Sequence, residues 1–287
     1  MSITEPQTSS EPKDAAENDR LLTQRKRWLR VRGVAGRVLP PLVVLAIAVA
    51  IWEFISYVVL DPSRQFLLPP LETVLHDSFL VSSNFQELLS ALGVTAALAF
   101  IGMAISMVIG VLIAILMQQS RFLNRSLYPY LVLMQTVPIL ALVPLIGFYL
   151  GYAVTPRIII CLIISFFPIV SNTAFGLNQP TSPQKDLFRL HRVGRLRTLR
   201  GLSLPASLPA MFTGFRISAG LSVVGEIVGG FFFQKGPTDL GILINVYVLN
   251  LSTPQLFGSV IFSAALGIFA FGLFSALGTA VFGRWKE

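Results

Sequence analysis

The chain has 287 residues, of which 54% are hydrophobic and 13% are charged, and its mean hydropathy is +0.72. A soluble domain carries roughly 25% charged residues, so this composition excludes an ordinary soluble protein and indicates a multi-pass membrane protein. The net charge of +8 does not indicate a nucleic-acid partner, because the basic residues cluster at the ends of apolar runs, where they set membrane topology. The single cysteine, Cys161, excludes a disulfide framework.

The N-terminal segment, residues 1–37, is polar and becomes strongly basic just before the first apolar run. We expect a cytoplasmic tail that is partly disordered. The first apolar run, residues 38–60, is long enough to cross a hydrocarbon core of about 30 Å and too long for the core of a signal peptide. The rest of the chain, residues 38–287, is therefore predicted to form one transmembrane domain that begins with a retained helix.

Six apolar runs are predicted to be transmembrane helices, each bounded by proline, glycine, asparagine or charged residues. The predicted fold class is an all-α polytopic membrane protein with about six spans. The runs cover residues 38–60, 90–117, 127–150, 157–177, 211–233 and 257–282.

The distribution of lysine and arginine predicts the orientation of these spans. Eight of them precede the first span, six lie in the loop of residues 179–210, and two follow the last span. The opposite side holds only Arg64, Arg157 and Lys235. The positive-inside rule therefore predicts that both termini and the 179–210 loop are cytoplasmic.

The 179–210 loop is the one long polar segment between apolar runs, with six basic residues against one acidic residue. Leucines recur in it at a spacing of about three residues, which is typical of an amphipathic helix. The charge alone leaves two interpretations open. The loop is either a connector that binds anionic lipid headgroups, or a docking helix whose leucines and Phe188 fill a groove on a cytoplasmic protein.

Short motifs in and around this loop resemble those of the permease subunits of ABC importers, and they occur in the same order. The branch that they resemble imports nitrate, taurine and other sulfonates, and thiamine- or riboflavin-related compounds. The resemblance extends from about residue 38 to residue 282. It is carried by residues 67–70 (LLPP), 141–145 (ALVPL), 164–173 (ISFFPIVSNT), 192–195 (RVGR), 202–209 (LSLPASLP) and 213–218 (TGFRIS).

The resemblance implies a type I ABC importer permease in a prokaryotic plasma (inner) membrane. It implies as partners two ABC ATPase subunits, an extracytoplasmic substrate-binding protein and a second permease copy in a homodimer. The chain lacks a G-x-x-x-x-G-K-[ST] phosphate loop, so we expect it to be a transport subunit rather than an enzyme, with ATP and Mg²⁺ bound by the partner subunits. The residues expected to dock on the ATPase are Leu187, Phe188, Leu190, His191, Arg192, Gly194, Arg195, Leu199, Leu204 and Pro205.

The chain departs from the family pattern at two places. In most members a glycine stands where this chain has Arg192, and Gly194 follows two residues later. We expect that Arg192→Glu or Gly194→Pro abolishes substrate-stimulated ATP hydrolysis. The family also often has an acid at the position of Gly230, whereas this chain has Glu226 one helical turn earlier on the same face.

Polar residues inside the predicted spans are candidates for the translocation path. Pro138 frees a backbone carbonyl in the third span, and Gln135 is costly to expose to lipid. The alternative is that these residues only bond a neighbouring helix. The predicted path residues are Gln135, Thr136, Pro138, Asn172 and Glu226.

Two other function classes are alternatives to the importer. A proton-coupled secondary transporter could use the intramembrane acids Glu53 and Glu226. It would not need the basic loop, and no internal repeat is evident. A membrane enzyme is disfavoured, because His76 and His191 are predicted to lie on opposite sides of the membrane.

Overall fold

The computed structural model describes residues 39–282, without the side chain of Phe282. The predicted tail, residues 1–37, and the last five residues lie outside the described residues. The described part of the chain is helical and contains no β-strand. The helices are α1 Leu39–Val59, α2 Leu71–Leu75, α3 Ser82–Gln119, α4 Arg121–Thr136, α5 Ile139–Leu150, α6 Val154–Leu177, α7 Ser182–Leu190, α8 Arg195–Thr198, α9 Leu204–Phe232, α10 Leu240–Leu249 and α11 Thr253–Phe282.

Five of these helices are long and apolar enough to cross a membrane, namely α1, α3, α6, α11 and α9 with the turns that precede it. The sixth candidate span is the pair α4 and α5, which meet at 99°. The all-helical prediction with about six spans is thus confirmed, but the third span is broken rather than continuous. The break lies at Val137 and Pro138, because Pro138 lacks an N–H group and Val137 before it has ψ 121°, which is extended.

Helix α10 has no counterpart among the predicted spans. Its ten residues cover about 15 Å, half of a hydrocarbon core. Asp239 caps its N-terminus by accepting a hydrogen bond from the N–H of Ile242 at 2.7 Å. The hydroxyl of Tyr247 donates to the carboxylate of Glu87 in α3 at 2.9 Å. Burial and this bond raise the pKa of Tyr247.

The described part of the chain divides into two compact units, with the boundary between Leu71 and Glu72. In the first unit, α1 is tied to the segment that leads into α2. The indole N–H of Trp52 donates to the carbonyl of Pro69 at 2.9 Å, and Glu53 accepts a bond from the N–H of Leu71 at 2.9 Å. A helix N-terminus leaves its first N–H groups unpaired, so the bond from Leu71 gives Glu53 a structural role inside α1.

In the second unit, α6 and α9 pack closely because α9 presents small residues to α6. A Cβ at Gly225 would lie 3.0 Å from the Cα of Cys161, and one at Gly229 would lie 3.0 Å from the Cα of Arg157. Side chains larger than glycine would push the two backbones apart. The contact is reinforced by the hydroxyl of Ser218, which donates to a backbone carbonyl of α6 at 2.6 Å.

Helices α3 and α11 complete the core around this pair. Gly102 of α3 lies against Cys161, and Met103, Phe215 and Leu266 join α3, α9 and α11 in one buried apolar cluster. The bundle of α3, α6, α9 and α11 positions the two regions described next. The polar helices α7 and α8 connect the end of α6 to the start of α9, and Arg157 lies at the opposite end of α6.

Candidate functional site

We call residues 182–203 the coupling segment. It consists of α7, a turn, α8 and one π-helical turn, Leu199–Ser203, that leads into α9. Helix α7 begins with a capping box, in which Thr181 and Gln184 each bond the other's backbone N–H group. The sequence therefore specifies the start of α7 locally, as the predicted amphipathic helix requires.

Helix α7 ends in a Schellman motif. The N–H of Val193 donates to the carbonyl of Phe188 at 3.0 Å, and the N–H of Arg192 donates to the carbonyl of Arg189 at 2.9 Å. This motif needs a left-handed residue after the helix, a position that usually holds glycine. Arg192 occupies it with φ 52°. The place where most family members have glycine is thus the place where this backbone favours one.

Gly194 does not need to be glycine in this structure. Its φ of −65° and ψ of 155° suit any residue, and a Cβ there would have no neighbour within 4 Å. A φ of −65° is also the value that proline adopts. The geometry therefore does not support the expectation that Gly194→Pro breaks the turn, because the conformationally demanding position is Arg192.

The coupling segment exposes three leucines among its charged residues. The side chains of Leu187, Leu190 and Leu196 are exposed, and Leu190 retains 81% of its accessible surface. His191 and Arg192 are exposed beside them. Exposed leucines on two adjoining helices are typical of a helix that docks in a groove on another protein.

The inward face attaches the segment to the bundle. A Cβ on Gly201 would lie 3.5 Å from the ring of Phe188, and Leu199 is buried in an apolar cluster with residues of α3 and α6. Leu204, followed by Pro205 in the first turn of α9, packs against the same cluster. Leu199 and Leu204 were predicted to dock on a partner, but their side chains pack against the chain's own helices, so a contribution to docking would be indirect.

A cleft of about 460 Å³ lies between the coupling segment and the end of α3. Gln118 joins the two, because its amide donates to the carbonyl of Leu177 at 3.0 Å and to the hydroxyl of Ser203 at 3.1 Å. The lining of the cleft includes Arg195, one of the predicted docking residues. One side chain of α3 thus bonds both the coupling segment and the end of α6.

Three of the predicted path residues lie at the break between α4 and α5. Gln135 is exposed, and its amide makes no hydrogen bond with any residue that the structure describes. The hydroxyl of Thr136 donates to the carbonyl of Leu133 at 3.0 Å, which satisfies it within its own helix. Pro138 begins the second half of the broken span. Gln135 is thus the polar group of this set that needs water or another molecule.

The other two predicted path residues lie apart from each other. Asn172 donates to the carbonyl of Pro168 at 2.8 Å within α6. Glu226 is completely buried, and the thiol of Cys161 lies 3.6 Å from one of its oxygens. Cys161 and Asn172 are about 16 Å apart along α6, at about 1.5 Å per residue. The structure therefore does not bring Glu226 and Asn172 into one site.

The sequence did not indicate a buried ion pair at the other end of α6. Arg157 and Asp239 are both completely buried, with a guanidinium nitrogen 2.6 Å from the carboxylate. The same guanidinium donates to the carbonyls of Phe233, Lys235 and Pro237 at 2.8, 3.1 and 3.1 Å. This pair fastens the segment between α9 and α10 onto α6.

Gly230 makes room for this ion pair. A Cβ at Gly230 would collide with the carboxylate of Asp239. The position where the family often has an acid therefore lacks a side chain here, and the segment between α9 and α10 supplies a carboxylate to the same place. The sequence signal was the combination of Gly230 with an aspartate directly before an apolar helix.

Comparison with known proteins agrees with this architecture. Residues 106–285 match the family described as the binding-protein-dependent transport system inner membrane component. The chain is 30% identical to the formylaminopyrimidine transport permease protein ThiX of Halalkalibacterium halodurans, over 84% of this chain and 94% of that protein. It is 29% identical to the putative aliphatic sulfonates transport permease protein SsuC of Bacillus subtilis, over 89% of this chain and 88% of that protein. It is 28% identical to the nitrate import permease protein NrtB of Synechococcus elongatus, over 64% of this chain and 68% of that protein. The chain therefore belongs to the inner-membrane permease family of ABC importers and is a multi-pass protein of the plasma membrane.

Proposed function

We propose that this chain forms the translocation path for a small polar solute. An external binding protein delivers the solute, and ATP hydrolysis in separate cytoplasmic subunits drives its transport across the membrane. ATP and Mg²⁺ bind to those subunits. The observation that carries the proposal is the coupling segment, whose outer face exposes leucines while its inner face is bonded to the bundle.

The exposed leucines favour protein docking over a purely electrostatic contact with lipid headgroups. Full burial of a leucine side chain contributes about 1.5–3 kcal/mol, which Leu190 gains only when another surface covers it. A loop that merely binds headgroups needs its cations but not three exposed leucines. A groove on the ATPase subunit would cover Leu187, Leu190 and Leu196 together.

The contacts of the coupling segment supply a route for mechanical coupling. Residues 195–232 form one helical span, so a displacement of α8 reaches α9 without a flexible joint. The bond between Gln118 and Ser203 links the π-helical turn to α3, and Phe188 of α7 contacts the same turn at Gly201. Closure of two ATPase subunits on ATP would then rock the bundle, provided that ATP and the loaded binding protein favour different states of the permease.

The broken span supports a polar path. Gln135 lies at the break between α4 and α5, and an amide facing lipid is costly, so we place it toward water or a second copy. The similar proteins are named for the transport of formylaminopyrimidine, aliphatic sulfonates and nitrate. We propose a small polar solute of this kind. Arg157 is already paired with Asp239, so we assign the choice of substrate mainly to the binding protein.

We further propose that two copies of the chain form the permease and that both termini are cytoplasmic. The positive-inside distribution of lysine and arginine supports the orientation. Light scattering of the purified permease tests the dimer, because a monomer would have a mass of 31.4 kDa after correction for detergent and a homodimer twice that value.

The proposal is tested with the permease, its ABC ATPase subunits and its binding protein reconstituted in liposomes. We expect uptake of the solute to require ATP, the binding protein and this chain together. Leu190→Ser should weaken ATPase association and abolish uptake. Leu249→Ser is the matched control for association, because Leu249 is 74% exposed but lies in α10 at the opposite end of the molecule. Equal association of both variants would contradict the docking assignment.

A further inference from the structure

Arg192 has an unfavourable backbone conformation. It is one of two non-glycine residues with positive φ among the described residues, the other being Leu251. A left-handed residue with a Cβ is less stable than glycine in the same place. The Schellman motif at the end of α7 would therefore be more stable with glycine at position 192.

Nothing in the described part of the chain compensates for this cost through the side chain. Arg192 is exposed, and its guanidinium makes no hydrogen bond or ion pair with any residue that the structure describes. The neighbouring Arg189 is different, because it pairs with Asp186 at 3.1 Å. A strained residue without an internal partner points to a group outside the chain.

The position of Arg192 limits what that group can be. The two Schellman bonds fix its backbone, and the exposed Leu190 lies two residues before it. A planar guanidinium carried on a backbone held in one place suits a carboxylate in fixed geometry, which it can bind through two parallel hydrogen bonds.

We infer that Arg192 binds a carboxylate at the rim of the ATPase groove that receives Leu190, and that this ion pair selects the cognate ATPase subunit. The inference rests on the docking function proposed above. An acidic residue facing Arg192 stabilises the correct complex, whereas a groove with a basic or apolar residue there is disfavoured.

Anionic lipid headgroups are a weaker explanation for Arg192. Headgroups are mobile, and the other five basic residues of the 179–210 loop can reach them from ordinary backbone conformations, because Arg192 is the one among the six with positive φ. A strained and fixed backbone under the arginine gives no advantage with a mobile partner. The fixed backbone is an advantage with a protein surface, because the position of the arginine there determines whether the ion pair forms.

The test separates backbone from charge by comparing Arg192→Gly, Arg192→Asn and Arg192→Lys. Purified ABC ATPase subunit is titrated against the permease in nanodiscs of phosphatidylcholine, with and without anionic phosphatidylglycerol. We expect Arg192→Gly to bind about tenfold more weakly in both lipids, although its thermal unfolding midpoint is equal to or above that of the wild type. Arg192→Asn, which tolerates the left-handed region, should show the same loss, and Arg192→Lys a smaller one.

Measuring Leu190→Ser in the same titration distinguishes this inference from the docking proposal. Unchanged affinity of Arg192→Gly together with weakened Leu190→Ser overturns the ion pair and retains docking. Unchanged affinity of both variants overturns both proposals. A loss that occurs only with phosphatidylglycerol assigns Arg192 to the lipid surface and also overturns the ion pair.

Discussion

Replacement of Arg157 by methionine removes the cation from the buried ion pair with Asp239. The variant loses the 2.6 Å contact to the carboxylate and leaves the carbonyls of Phe233, Lys235 and Pro237 without their donor. Removal of one partner of a buried pair typically costs about 3–5 kcal/mol, because the remaining charge stays buried. Hydrogen bonds to charged groups contribute about 1.5–3 kcal/mol each, so the three carbonyls place Arg157→Met toward the upper part of that range.

The assay is thermal unfolding of the purified permease in detergent. A loss of this size corresponds to a decrease of roughly 10 °C in the midpoint. Arg189→Met is the matched control, because Arg189 also pairs with an aspartate but both side chains are exposed, and surface pairs contribute little. The unfolding midpoint of Asp239→Asn should lie between those of Arg157→Met and Arg189→Met, since asparagine keeps the cap on Ile242. A midpoint for Arg157→Met within 2 °C of the wild type would refute the reasoning.

Three further predictions concern the coupling segment and the broken span. Gly194→Pro should leave substrate-stimulated ATP hydrolysis unchanged, because φ at Gly194 is −65°; loss of stimulation in a correctly inserted variant would show that the position needs glycine. Gln135→Leu should reduce solute uptake severalfold with ATPase association intact, and normal uptake would remove Gln135 from the path. Leu190→Cys should react with a membrane-impermeant maleimide only from the cytoplasmic side, and Leu249→Cys only from outside. The native Cys161 should not react, because it is buried. The reverse pattern of labelling would show that the topology is inverted.

Much of the fold followed from the sequence because long apolar runs have few alternatives in a membrane. The sequence also contained Pro138, but an intramembrane proline either kinks a helix or ends it, and only packing decides which occurs. Helix α10 was missed because its ten residues are too short to give a span signal. Its cap at Asp239 is local, but the contact of Tyr247 with Glu87, 160 residues away in the sequence, is a tertiary feature.

The sequence predicted a helix within the 179–210 loop but not which of its leucines are exposed. Leucine spacing located the coupling segment, yet it could not tell that Leu190 faces outward while Leu199 is buried, because a turn and a π-helical segment change the phase between them. Arg157 was counted only as a topological charge. Its partner Asp239 lies 82 residues away in the sequence, and no local pattern links the two.

The central claim is that the coupling segment transmits the state of the permease to ATPase subunits through its exposed leucine face. The most direct measurement is ATP hydrolysis by the reconstituted complex in nanodiscs, with and without loaded binding protein, for the wild type and Leu190→Asp. The account predicts that the wild type is stimulated, and that Leu190→Asp loses stimulation while its permease keeps a normal unfolding midpoint. Full stimulation of Leu190→Asp by the loaded binding protein would contradict the account.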